Sequence, residues 1–313
     1  MRGLSLRQIP EGRPGAGIKV ARLHYLADPT MTTERVAALR SQYTSDARWR
    51  REMEIQYEAL EGELLYPEWK RELSICEHFD VSDPEMWTIY HACDPHGRTP
   101  HAFIWEAFNK HGDRAVCGEV WSGRDFAGER FTVAQYCYVL KWLESDSWDK
   151  PSPFDWSRGK KLHVYYRVMD THGAAINSDE GKDYFDTYRR HGFHYFSALK
   201  GEVRLAVARD SVASALLPVE ITTASGTSTR ARMRVFEGCV ETIDEFERVR
   251  YPEGDPERPA DERPMTYRKH LLDGLHYIET ARPRFVLPKR LRTRSMREPI
   301  YSTEGNLVGG TGY

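Results

Sequence analysis

Met86-Trp87-Thr88-Ile89-Tyr90-His91-Ala92-Cys93-Asp94 runs into Pro95-His96-Gly97. The nine residues alternate with period two, are rich in aromatic and β-branched side chains, and stop at a turn. They predict a strand that ends on an aspartate. Two more strands are expected at hairpin distances, residues 101–108 and 114–121, with Gly112 and Asp113 in the second turn.

Downstream, the spacing of Val133, Tyr136, Cys137, Leu140 and Leu143 predicts a helix over 131–143. Residues 145–159 read as a polar loop, and 162–169 as a fourth strand that ends in Asp170. A helix is expected over about 179–190, with Ser178 as N-cap, acids in its first turn and His191-Gly192 closing it. Then come a strand over 194–199, a helix over 203–217, a short strand over 233–236 and a helix over 240–250. After a Pro- and charge-rich loop over 251–264, a last helix over 267–280 is stopped by Pro283. Upstream, 18–26 is a candidate strand and 31–60 reads as helical, with Thr32 or Thr33 as cap. These elements predict an α/β protein: a mixed sheet, three antiparallel strands then parallel ones, with helices on both faces. The order is that of the ribonuclease H-like fold, in which the first and fourth strands lie side by side.

The bulk properties narrow the class. The 313 residues are 40 % hydrophobic and 12 % aromatic, enough for a large core. No apolar run approaches the roughly 20 residues of a membrane helix, and the N-terminus has no signal-peptide pattern, so an intracellular protein is expected. Five widely spaced cysteines without a C-x-x-C pair argue against a disulfide framework or zinc knuckle. The formal charge of −2 lacks the basic excess of a non-specific DNA binder, so any DNA contact has to come from local patches. One such patch is the tail with Arg282, Arg284, Lys289, Arg290, Arg292, Arg294 and Arg297, which reads equally as a solvated tail or a phosphate contact.

Asp94 and Asp170 each close a strand. If those strands are neighbours, the two carboxylates meet at one sheet edge. Asp273 sits among Leu271, Leu272, Leu275 and Ile278 on the last helix, where a carboxylate needs a compensating cation. His270 shares that region. Three oxygen-donor acids suit Mg²⁺ or Mn²⁺, and two such ions about 4 Å apart promote phosphodiester hydrolysis without a covalent nucleophile. Taken singly, each aspartate reads more readily as a turn or capping residue. His172 is placed to meet a phosphate or a metal's water. His91, His96 and His101 suit packing better than zinc. Asp179, Glu180 and Asp183 suit the helix dipole. Lys200 and Arg204 are candidate phosphate contacts or a solvated face, Glu106 and Glu119 are expected to face solvent, and 222–232 suits a hairpin.

Several segments resemble the large terminases of tailed bacteriophages. Trp49-Arg50-Arg51-Glu52-Met53 and Glu61-Gly62-Glu63-Leu64-Leu65-Tyr66-Pro67-Glu68-Trp69 resemble the stretch joining their ATPase motor to their nuclease. Cys93-Asp94-Pro95-His96-Gly97 and Met169-Asp170-Thr171-His172-Gly173 resemble their first two acidic motifs, and Gly238-Cys239 with the acidic helix through Glu245-Phe246-Glu247 a later one. Lys269-His270-Leu271-Leu272-Asp273-Gly274-Leu275-His276-Tyr277 resembles the closing motif, commonly Asp-His-x-x-Asp-Ala-x-Arg-Tyr; here Lys269, Gly274 and His276 depart from it.

The resemblance spans about residues 18–285. It implies a ribonuclease H-like nuclease of a viral packaging terminase that cuts concatemeric double-stranded DNA with two Mg²⁺ or Mn²⁺ ions. Asp94, Asp170 and Asp273 would be the catalytic metal ligands, with His270, His172 and Lys269 at the site's edge and Lys200, Arg204, Arg290 and Arg292 meeting DNA. It also implies a portal protein and a small terminase subunit as partners, and the host cytoplasm as location. No G-x-x-x-x-G-K-S/T loop is present, so the ATPase motor is expected as a separate or truncated part. The expected organisation is 1–80 as the end of a motor and its hinge, 81–285 as the nuclease, and 286–313 as a basic tail. Another ribonuclease H-like nuclease of resolvase type, or an inactive DNA-packaging or DNA-binding module, are the competing readings.

Overall fold

The computed structural model describes residues 4–8, 19–43, 49–50, 53–54, 64–96, 100–121, 131–144, 161–170, 183–198, 201–223, 226–251 and 269–288. Strands β1 (Leu4–Gln8) and β2 (Lys19–Leu23) form an antiparallel pair of their own, followed by helix α1 (Thr33–Arg40). Then come α2 (Arg71–Ser74), β3 (Ile75–Cys76), β4 (Trp87–Asp94), β5 (Ala102–Asn109), β6 (Arg114–Trp121) and α3 (Val133–Glu144). After them lie β7 (Val164–Met169), α4 (Tyr184–Arg190), β8 (Phe196–Ser197) and α5 (Glu202–Leu216). The hairpin β9 (Pro218–Thr223) and β10 (Gly226–Ala231) leads into β11 (Met233–Phe236), α6 (Val240–Arg248) and α7 (His270–Thr280).

The central sheet has seven strands in the order β3-β11-β6-β5-β4-β7-β8. The meander β4-β5-β6 is antiparallel; β7 then joins β4 in parallel and β8 joins β7 in parallel. This is the mixed ribonuclease H-like sheet expected from the element order. Tyr66 and Trp69, together with β3, pack into the same body, on the N-terminal side of residue 81. Of the helix predicted over 31–60, α1 and residues 49–50 are helical among the described residues, with Thr32 accepting from the Arg35 amide at 3.3 Å. The helix expected from about 179 starts at Tyr184, capped by Asp183, which accepts from the Asp186 amide at 2.7 Å; Ser178 lies outside the described residues. Of the strand expected over 194–199, the β8 pair alone is laddered.

Side chains alternate across the central strands, and both faces are covered. His91 and Trp105 point to α3, where Glu144 accepts from Trp105 Nε1 at 2.8 Å. Ala92 and Ile104 point to α7. Gly274 makes that approach possible: a Cβ there would stand 2.8 Å from Ile104 Cγ2, a β-branched atom with nowhere to move. Among the described residues, no helix is long and apolar enough to cross a membrane.

Double coverage overturns one expectation. Glu106 and Glu119 do not face solvent; both are fully buried, because central strands covered on both faces have no wet side. Glu119 serves as a cap. Its carboxylate accepts from the amides of Glu241 and Thr242 at 2.9 and 2.8 Å, holding the start of α6. Burial, and next the Glu279 carboxylate, push the Glu106 carboxyl well above its ordinary value against the pull of Arg114. A raised folded value means that the native state keeps a proton which the unfolded chain releases near 4.5. The stabilisation from that proton is complete below 4.5 and fades as pH rises through the folded value. Glu106→Gln is expected to flatten this decline, measured as unfolding free energy by denaturant titration at successive pH values. An unchanged slope would show that Glu106 is not its source.

Candidate active site

The parallel pairing of β4 and β7 sets Cys93 opposite Met169, and the Asp170 amide donates to the Cys93 carbonyl at 3.2 Å. Asp94 and Asp170 therefore leave adjacent strands at the same carboxyl edge, where ligands of open α/β sheets gather. Helix α7 packs over β4, β5 and β7 and presents its first turn to that edge.

Lys269 occupies the N-cap of α7 but makes no side-chain cap bond. Glu245, reaching across from α6, takes the cap's place: its carboxylate accepts from the Leu271 and Leu272 amides at 3.2 and 2.8 Å. Glu119 anchors α6, and α6 through Glu245 anchors α7. Two buried carboxylates thus link the sheet to the helix carrying His270 and Asp273.

The acids are shifted by burial, by one another and by their basic neighbours. Burial raises the Asp94 carboxyl; His270 opposes this, its Nδ1 lying 2.7 Å from Asp94 Oδ2, while Asp273 and Asp170 add to the rise. His270 is in turn raised, chiefly by that bond to Asp94. Asp273 is held down to about 2: burial acts against this, but His276 and Lys269 outweigh it. Lys269 Nζ lies 2.9 Å from Asp273 Oδ1, and His276 Nδ1 lies 3.6 Å away. Burial lowers the His276 imidazole, and its Nε2 meets the Tyr66 hydroxyl at 2.5 Å. Burial raises the Tyr277 hydroxyl, and the charges of Asp94, Asp273 and Asp170 add to the rise.

The structure thus sets Asp94 and Asp170 on one edge, with His270 against Asp94 and Lys269 against Asp273. Arg204 is exposed on α5, the helix that packs beside α7. His172, Lys200, Arg290 and Arg292 lie outside the described residues. The histidines weighed against zinc are dispersed: His91 faces Glu144, His101 Nδ1 meets the Tyr188 hydroxyl at 2.8 Å, and His96 is exposed, its ring 6.3 Å from that of His270. Glu245, His276 and Tyr277 were not singled out as site residues from the sequence, although all three stand inside the quoted motifs.

Among the described residues, no group of three or more His, Cys, Asp or Glu side chains is drawn together as a metal-ligand set. The donor chemistry nevertheless fits a hard divalent cation, since carboxylate oxygens are what Mg²⁺ and Mn²⁺ prefer. Asp94 and Asp170 are the pair best placed to hold one. Asp273 already has an ammonium partner.

A mixed sheet with carboxylates at the carboxyl ends of its neighbouring strands β4 and β7 defines an α/β fold of the ribonuclease H-like class with an acidic site. Among solved structures, the chain is similar to the large terminase from a thermophilic bacteriophage, with TM-score 0.53 and 15 % identity over 82 % of this chain and 54 % of that one. The ADP complex of that terminase gives TM-score 0.54 and 14 % identity over 82 % and 53 %. The P22 large terminase nuclease domain gives TM-score 0.46 and 15 % identity over 76 % and 100 %. At these identities the likeness shows the fold. The chain spans about half the length of the thermophilic phage's terminase. No family model and no curated protein matches the chain.

Proposed function

We propose that the chain is a divalent-metal-dependent endonuclease that cuts concatemeric double-stranded DNA during viral genome packaging. The observation that carries this reading is the placing of Asp94 and Asp170 at the carboxyl ends of the neighbouring parallel strands β4 and β7, with His270 of α7 against Asp94. The fold likeness to a large terminase supports the packaging context.

In this reading Asp94 and Asp170 hold a Mg²⁺ or Mn²⁺ ion. The chemistry such a cation supplies when bound is Lewis acidity toward a water and toward the scissile phosphate. His270 fixes the Asp94 carboxylate through its 2.7 Å contact, and Glu245 holds the helix from which His270 and Asp273 project. The net reaction adds water across one P–O bond and releases the 3′-oxygen as a hydroxyl. The two-ion form of this chemistry requires Asp273 to exchange its lysine for metal. Double-stranded DNA, an ATPase motor, a portal protein and a small terminase subunit are the proposed partners, and residues 81–285 the nuclease unit.

A second reading, a packaging or DNA-binding module without chemistry, is favoured by the Lys269–Asp273 pair alone. Incubating supercoiled plasmid with the full chain and Mg²⁺, Mn²⁺ or EDTA separates the two. Cutting with metal and none with EDTA is expected. A folded chain that retards DNA but never cuts it would favour the second reading.

A further inference from the structure

We propose that Lys269 is a built-in counter-cation for Asp273, so that the DNA-bound centre takes one divalent ion, at Asp94 and Asp170, instead of two. This deepens the nuclease reading and rests on it.

Asp273 lies on an apolar helix face, where an unpaired carboxylate is unfavourable. The Lys269 ammonium, 2.9 Å from Asp273 Oδ1, answers that need, and the two side chains are only 14 % and 23 % exposed. Helix energetics do not explain the lysine. A cation at a helix N-terminus opposes the macrodipole, a lysine preceding its acid by four residues is the weaker order of such pairs, and Lys269 caps nothing. Its position is accounted for by the site. It precedes His270, which meets Asp94 at 2.7 Å, and its charge is felt at the His270 imidazole. A divalent ion ligated by Asp273 would have to displace this ammonium or sit against it. A lysine in that place supplies, as a point charge, part of the stabilisation of a charged phosphate that a second ion supplies elsewhere.

The test counts metal. Mn²⁺ is titrated into the full chain, bound to a non-cleavable phosphorothioate duplex, and free and bound ion are followed by electron paramagnetic resonance. The wild-type chain is expected to bind one equivalent that Asp94→Asn removes. Lys269→Ala, or Lys269→Met if the alanine variant melts early, is expected to bind a second equivalent with the exchange-coupled spectrum of a close Mn²⁺ pair. Two aspartate-dependent equivalents in the wild type, or one in both lysine variants, would overturn the counter-cation. Absence of any Asp94-dependent Mn²⁺ in every folded chain would overturn the metal-nuclease reading itself, and the lysine proposal with it.

Discussion

Asp170→Asn is expected to lower the rate of duplex cleavage by at least about a hundredfold, because it weakens a proposed metal ligand. The fold should survive. Asp170 is 7 % exposed and shares its edge with Asp94 and Asp273, so neutralising it removes like-charge repulsion from the metal-free chain. Asparagine keeps the size and one oxygen acceptor. The expected pair of results is lost cleavage with an unchanged or raised melting temperature. Cleavage at the wild-type rate would remove Asp170 from the site; collapse of the fold would make it a structural residue.

The largest loss of stability is expected on the opposite face of the sheet. Glu144 ends α3 with its side chain 3 % exposed, between Arg167 and His91, and accepts from Trp105 Nε1 at 2.8 Å. Burial alone would raise its carboxyl; Arg167 and then His91 reverse this and hold it down to about 2. Burial lowers the His91 imidazole, and Arg167 is the larger of the two influences that hold Glu144 down. Glu144→Ala leaves a largely buried guanidinium without its carboxylate, which costs about 3–5 kcal/mol. In thermal melts that corresponds to a fall of roughly 10 °C for a protein of this size. The sign with pH follows from the depressed carboxyl: the stabilisation is complete above the ordinary 4.5 and is lost as pH falls through about 2. A variant that melts within a degree or two of wild type would show that the cluster contributes no net stability.

The site was legible where chemistry coincides with local pattern. Asp94 and Asp170 could be read because each stands where an alternating apolar run stops, and parallel pairing then makes the two ends neighbours. Asp273 stood out as a charge on an apolar helix face. Its partner did not, since one-dimensional spacing does not say whether the compensating cation is a metal or the lysine four residues earlier. Glu106 and Glu119 were misread for a related reason. A period-two pattern implies one wet face, whereas helices on both sides of this sheet leave its central strands none. Glu245 was invisible as a cap because capping patterns are local, and it caps a helix that begins 25 residues further along the chain. Tyr277 was in view inside a quoted motif, yet the charges that raise its hydroxyl come from aspartates on three separate elements.

Diffraction at the manganese edge from crystals of the full chain soaked in Mn²⁺ tests the metal centre most directly. An anomalous peak between the Asp94 and Asp170 carboxylates, absent from Asp170→Asn crystals, is the predicted result. A folded chain with no peak there at saturating Mn²⁺, or with its metal bound elsewhere, would contradict the assignment of these aspartates as a nuclease centre.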